Sequence, residues 1–420
     1  MRYNRLMAKE STQIKDKQLN QKKRKRYTAE ELAKAIERNK FIYNDYFRID
    51  FIERINSEIF QILDAIYFRS VYIGFDELPR RNNPKHPVIL VSNHSGMAFP
   101  WDAIVFGLGL YKRHGYDKEK KLRVMISPSL SRTPIMHPYL MRGAWKMAGG
   151  VDATYLNFET MMHYPEGNLL IYPEGIPGIG KGFNRKYQLQ RFATSFVRMS
   201  LKYRTDIVSY STVNAEYVAP FSYSLPRVNK IFSKMGIPLF PIGPLTVFLC
   251  FPFAFYLSLP AKMHFVRGRR LKPYQWLDKP FEELTEEEIR MLVDRIETEM
   301  QEDLNKAVKK YGKHPYRLGE FLKNMFKHIH QFPLTTPLGW MFLFHEYERQ
   351  WWNGGKDGKP VKLHKLGVFS SLWYAIRNPI TLAYFLPILG WIILIIYGNW
   401  KWKCHAKWRK KQTTQQHEIP

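Results

Sequence analysis

The chain has 420 residues, with 65 Lys or Arg against 37 Asp or Glu and a formal net charge of +28. Its 45% hydrophobic content allows a large core, and its two cysteines, Cys250 and Cys404, exclude a disulfide framework or a cysteine-rich zinc pattern. The basic excess points to a polyanionic partner: nucleic acid, an anionic membrane surface or a phosphorylated substrate.

Residues 1–28 carry ten basic residues against two acidic ones and read as a mobile basic arm. The opening MRYNRLMAKE is polar and shows no secretory signal pattern. Residues 401–411 add six basic residues and no acid, yet 29–400 still hold 49 basic against 34 acidic. The excess is therefore spread over the body.

Residues 29–84 are predicted as an N-terminal helical region. TAEELAKAIERNK places Thr28 and Glu31 at capping-box spacing. FIERINSEIFQILDAIYF is apolar at a helical period, and VYIGFDEL reads as a strand before a Pro/Asn-rich turn. From HPVILVS onward strands and helices alternate. WDAIVFGLGLY is a helix, KLRVMIS a strand, MRGAWKMAG helical and GGVDA a strand end. NFETMMHYP is a short helix, GNLLIYPEG a strand, KYQLQRFATSFVRMSLKY a helix and DIVSYSTVNAEY a strand. This alternation predicts an α/β domain over 85–275, a mixed sheet flanked by helices.

Residues 236–260 are almost wholly apolar but contain five prolines, which rules out a simple spanning helix and predicts a buried or membrane-dipping loop. Residues 276–355 are predicted as a helical extension. Thr285 and Glu288 form a second capping box there, with Ile289, Leu292, Val293, Ile296, Met300 and Leu304 on one face. Residues 356–420 are predicted to hold a membrane segment at about 378–400 and a basic tail. Eighteen uncharged residues, 380–397, reach spanning length, and Trp391, Tyr397 and Trp400 suit an interface. Pro387 and Gly390 leave open a kinked hairpin within one leaflet.

Two stretches carry chemistry-bearing residues. VSNHSGMAFPWD, 91–102, brings a strand into a turn with His94 and then to Asp102. Alone it reads as an ordinary turn, with Asn93 and Ser95 as turn formers and Asp102 suited to a helix N-terminus. IYPEGIPGIGKG, 171–182, runs a strand into Pro-Glu-Gly and a glycine-rich loop. Lys181, Arg185, Lys186 and Arg191 follow, where an anion would be favoured. The loop matches neither the nucleotide phosphate loop nor the dinucleotide fingerprint.

Together these stretches resemble the glycerolipid acyltransferase family, over about residues 85–275. Asn93-His94 with a following Asp is similar to the family's first block, and Tyr172-Pro173-Glu174-Gly175 to its third. GGVDA resembles the second block, VNAEY a Gly-Ala-Glu-Glu-type ending, and FPIGP…LPAKMHFVRGRRL the close of the domain in the diacylglycerol-acylating branch. Two departures stand out. The family's commonest aspartate lies five residues after the histidine, whereas Asp102 lies eight after His94. An arginine typical of phosphate-binding members is replaced by Pro177.

The resemblance implies transfer of a fatty acyl group from acyl-CoA or acyl carrier protein to a glycerolipid hydroxyl. That hydroxyl belongs to a lysophospholipid, glycerol phosphate or diacylglycerol. His94 would be the base and Asp102 its orienter, with Glu174 and Gly175 binding acceptor and Lys181 and Arg185 holding phosphate. No cofactor, metal or nucleic acid is implied. The expected partners are membrane lipids and the acyl carrier, with the catalytic domain on the cytosolic face of a membrane. The residue types suit the reaction, because histidine titrates near neutral pH and a carboxylate on its other nitrogen fixes the tautomer.

Three rival readings come from other classes. Ser95 beside His94 invites an esterase, although no G-x-S-x-G elbow occurs. The charge and the 15% aromatic content allow a non-catalytic membrane- or nucleic-acid-binding protein. A metal enzyme would need a ligand pattern, and the closest histidines, His328 and His330, have no carboxylate beside them in sequence.

Overall fold

Among the described residues nine short strands organise the fold, seven of them in one sheet. The computed structural model describes residues 28–97, 99–117, 120–128, 136–139, 141–233 and 239–417. The basic arm expected at 1–28 lies outside them except for Thr28. The strands are β1 (Val71–Ile73), β2 (Ile89–Ser92), β3 (Lys121–Ile126), β4 (Gly150–Asp152), β5 (Gly167–Ile171), β6 (Ile207–Val213), β7 (Tyr223–Ser224), β8 (Pro241–Ile242) and β9 (His264–Leu271). The large sheet has the order β1-β9-β6-β2-β5-β3-β4, and β7 pairs with β8. Every pair in the large sheet is parallel except β6 with β9. The sheet takes in β1, well ahead of the expected start at 85.

The helices used below are α1 (Ala29–Asn39), α2 (Ile49–Ile55, continuing through two π-helical stretches to Phe68), α3 (Trp101–Arg113), α4 (Tyr155–Met161), α5 (Ser195–Tyr203) and α6 (Glu286–Tyr311). Toward the C-terminus come α7 (Leu318–Lys327), α8 (Pro337–Trp352), α9 (Val368–Arg377) and α10 (Leu389–His417). Both expected capping boxes form, at Thr28 and at Thr285. The six apolar residues predicted on one face of α6 are all buried.

The central strands β2, β5 and β6 are buried along their whole length because both faces are covered. Alternate residues point to opposite layers, as the two-residue period of a strand requires. Leu90 and Leu170 join a core with α2, α3 and α8. Ile89, Val91, Leu169 and Ile171 join one with α4, α5 and α6. The result is three layers, helices on either side of a mostly parallel sheet.

Two expectations are corrected. The helix predicted across KYQLQRFATSFVRMSLKY begins only at Ser195, and its first half is loop. There the Leu189 and Phe192 amides donate to Gln301 and Glu297 of α6 rather than to their own chain. The apolar run at 378–400 is not one helix. A 3-10 turn spans Pro379–Phe385, and α10 starts after Pro387 and the positive φ of Ile388. Among the described residues, no helix is long and apolar enough to cross a membrane.

A buried charge cluster fastens α10 to α8. Lys401 Nζ lies 2.5 Å from Glu348, and Arg142 Nε donates to the same carboxylate at 3.0 Å. Burial pushes the Glu348 carboxyl up, but Lys401 and Arg142 outweigh it and hold it below its usual range. Burial, with Lys401 nearby, lowers His345 to about 3. Both groups carry fewer protons folded than unfolded as pH drops below neutral, so stability is lost in acid. The expected outcome is a melting temperature that falls steadily from pH 7 to pH 4. Lys401→Met should destabilise the fold by about 3 kcal/mol in chemical denaturation at pH 7, because Glu348 loses its nearer cation.

Candidate active site

The carboxyl ends of β2, β3 and β5 lie on one edge of the sheet because these strands are parallel, and ligands characteristically bind there in open α/β sheets. β2 ends at Ser92, two residues before His94. Asn93 anchors this exit to β6, donating to the Thr212 carbonyl at 3.0 Å and accepting the Thr212 N–H at 2.7 Å. The turn then runs through Gly96 (φ 120°) and Met97 (φ 70°) before Pro100 leads into α3.

Asp102 sits in the first turn of α3 and is fully buried. Its Oδ2 is 2.7 Å from His94 Nδ1 and accepts the Ser95 N–H at 2.9 Å, while Oδ1 accepts the Ala103 N–H at 2.8 Å. An ionised carboxylate can only accept, so Nδ1 carries the hydrogen. The neutral ring then has Nε2 bare, the tautomer a general base needs. The ring packs on Tyr172 at a centroid distance of 4.6 Å, and His94 lines the large cavity.

Glu174 sits behind His94 and is 3% exposed. Its two oxygens accept the His94 N–H at 2.8 Å and the Gln190 N–H at 2.7 Å. Gly175 follows at φ 57°, ψ −143°, a backbone conformation that suits glycine, and it lines the cavity. The Met97 N–H donates to the Ile179 carbonyl at 3.0 Å and joins the two loops directly.

The other two predicted residues are not brought to the cavity. Lys181 is buried, with Nζ 3.8 Å from Glu174 and 3.4 Å from Glu216. Arg185 is exposed in a 3-10 turn, 3.4 Å from the Gln190 side chain. Ser95 Oγ is buried without a partner and does not face the cavity, which leaves an esterase nucleophile out of place. Glu216 and Tyr172 were not singled out from the sequence as site residues. The available signal for Glu216 was its place in VNAEY, the stretch similar to a Gly-Ala-Glu-Glu-type ending.

The cavity measures about 320 Å³, within the range of small-molecule sites. Its walls are apolar and come from far apart: Phe51 and Phe60 of α2, Ile104 and Gly107 of α3, Phe344 of α8 and Trp391 of α10.

Residues 72–213 match the family model described as Acyltransferase. This segment, with buried Asp102 bonded to a His94 that lines an apolar cavity, is an acyltransferase-family domain. An uncharacterized protein of Mycobacterium leprae is 28% identical over 181 residues, 43% of this chain and 45% of that protein. An uncharacterized protein of Mycobacterium tuberculosis is 27% identical over 201 residues, 46% of this chain and 51% of that protein. The matched regions thus span about half the length of these curated relatives.

Burial pushes the Glu174 carboxyl up, against the opposing pull of Lys181 and its two N–H donors. Only the carboxylate accepts both amides. Lys181→Met should therefore raise that carboxyl further and move the acid limb of activity to higher pH, measured as kcat against pH. An unchanged limb would show that Glu174 does not depend on Lys181.

Proposed function

We propose that the chain is a membrane-associated acyltransferase that moves a fatty acyl group from a thioester on CoA or acyl carrier protein to a glycerolipid hydroxyl. The carrying observation is the His94–Asp102 pair at the edge of an apolar cavity of about 320 Å³.

His94 Nε2 takes the acceptor hydroxyl's proton as the oxygen attacks the thioester carbonyl. Asp102 holds the tautomer and stabilises the imidazolium. The tetrahedral intermediate collapses, the carbon–sulfur bond breaks, and the thiol leaves with the proton returned from His94. The thioester is already activated, so no covalent enzyme intermediate is required. Glu174 acts as a positioning residue through the His94 backbone rather than by touching the acceptor. Gly175, in the cavity lining, contacts the acceptor.

The described lining of the cavity contains no lysine or arginine. With Pro177 where an arginine is typical, this favours an acceptor without a phosphate, such as diacylglycerol, over glycerol phosphate. The acyl chain occupies the apolar walls. Gly107 lies within α3, where glycine costs about 1 kcal/mol relative to alanine. A Cβ built on it meets nothing within 4 Å, so a side chain there would enter the cavity.

Two measurements check this reading. With labelled palmitoyl-CoA and a panel of acceptors, His94→Ala should lower kcat by about 10²–10⁴, while Ser95→Ala keeps most of the activity. No labelled product from any acceptor, with either acyl carrier, would overturn the proposal. Gly107→Leu should lower kcat/KM for palmitoyl relative to octanoyl donor by at least about tenfold. An unchanged ratio would place the acyl chain elsewhere.

A further inference from the structure

Three C-terminal elements leave a row of large apolar residues in solvent, α9 and α10 burying their other side and α7 half-burying Phe321 and Met325. α7 exposes Leu318, Leu322 and Phe326, one helical turn apart. α9 exposes Phe369, Leu372, Trp373 and Ile376 while Tyr374 and Ala375 pack inward. α10 exposes Ile392 and Ile396 while Leu394 is buried. Scattered apolar residues on a surface are ordinary, but a contiguous row is not.

The rows adjoin. Gly367, just before α9, lies against the His330 and Phe332 carbonyls that follow α7. α9 runs through Asn378 into the 3-10 turn at Pro379–Phe385 and on to α10. The Ile388 N–H donates to the Cys250 carbonyl at 2.7 Å, and Trp391 Nε1 to the Phe248 carbonyl at 2.8 Å. Phe248 and Trp391 line the cavity, while Val247, Leu249, Ile388 and Ile392 beside them are exposed. The apolar face therefore reaches the cavity wall.

Charge decides what can cover it. Residues 312–345 and 361–403 contain nine Lys or Arg and one acid, Glu320. That acid is already paired with Lys262 at 2.8 Å. Lys323, Lys327, Lys362, Arg377 and Lys403 are exposed around the row. A second copy would bring the same charges against themselves. An anionic lipid surface complements both the cations and the apolar side chains.

We infer that α7, α9 and the 379–396 segment form an in-plane docking face for an anionic leaflet, through which a lipid substrate passes sideways into the cavity beside Phe248 and Trp391. The docking stands independently of the proposed reaction, and only the sideways passage rests on it. The apolar residues concerned lie outside the family-matched 72–213, so the device belongs to this chain's own C-terminal region.

The test is co-sedimentation of the full chain with vesicles of phosphatidylglycerol or of phosphatidylcholine. A Phe326→Glu/Leu372→Glu double variant is run beside wild type, with melting temperature as the fold control because both side chains are exposed. Wild type should bind phosphatidylglycerol at least tenfold more tightly than phosphatidylcholine, and the variant should lose at least tenfold on phosphatidylglycerol with an unchanged melting temperature. Wild type left in the supernatant, equal binding to both lipids, or a variant that binds like wild type would overturn the inference. So would a dimer in light scattering that the variant dissolves, since a second copy would then own the face. A wild type that docks yet acylates nothing would refute the proposed reaction and leave the docking face standing.

Discussion

A fully buried carboxylate must have its oxygens met by donors, or the fold bears the cost of an uncompensated charge. Asp102 meets that demand with His94 Nδ1 and the Ser95 and Ala103 amides. Each bond does structural and chemical work together. The amides hold the turn after β2 against the first turn of α3, where the helix end also favours a negative charge. The imidazole bond selects the tautomer with a bare Nε2. The longer spacing from His94 to Asp102 is absorbed by positive φ at Gly96 and Met97, and the Met97 amide ties this turn to the loop after β5. Glu174 then holds His94 from behind, so the two loops form a single unit.

The cavity divides labour differently from the pair. The segment matching the acyltransferase family, 72–213, supplies His94, Asp102, Glu174 and Gly175. Much of the wall comes from outside it: Phe51 and Phe60 upstream, and Phe248, Phe344 and Trp391 downstream. The His94–Asp102 pair is thus set by sheet topology, whereas the shape of the cavity depends on helices outside the matched segment. The buried Lys401–Glu348–Arg142 cluster carries this burden at the C-terminal end, since it fixes α10 and so Trp391.

The apolar C-terminal run finds a different solution from a spanning helix. Pro387 interrupts it, the 3-10 turn folds back, and α8 and α9 cover one side. What stays exposed joins α7 and α9 in a face rimmed by cations.

Much of the domain was legible because its signals are local. Strand periodicity placed β2, β3, β5 and β6, capping boxes placed α1 and α6, and the resemblance of two short motifs to a known family singled out His94, Asp102, Glu174 and Gly175. Other features depend on partners distant in sequence. Leu189 and Phe192 leave the predicted helix because α6 offers their amides better acceptors. Lys181 looked like a phosphate ligand because a lysine after glycines is exposed in isolation; packing turns it inward toward Glu174 and Glu216. Residues 380–397 read as spanning length because hydropathy counts residues and ignores where Pro387 breaks the backbone. Sequence alone was enough for β2, β3, β5 and β6 and for the two helix caps, since these follow from neighbours a few residues apart, while His94 and Asp102 stood out only through the family resemblance of their motif. Only the tertiary structure decided that Lys181 and Arg185 stay off the cavity, what walls it and which apolar residues stay in solvent, because each is settled by contacts between segments distant in sequence.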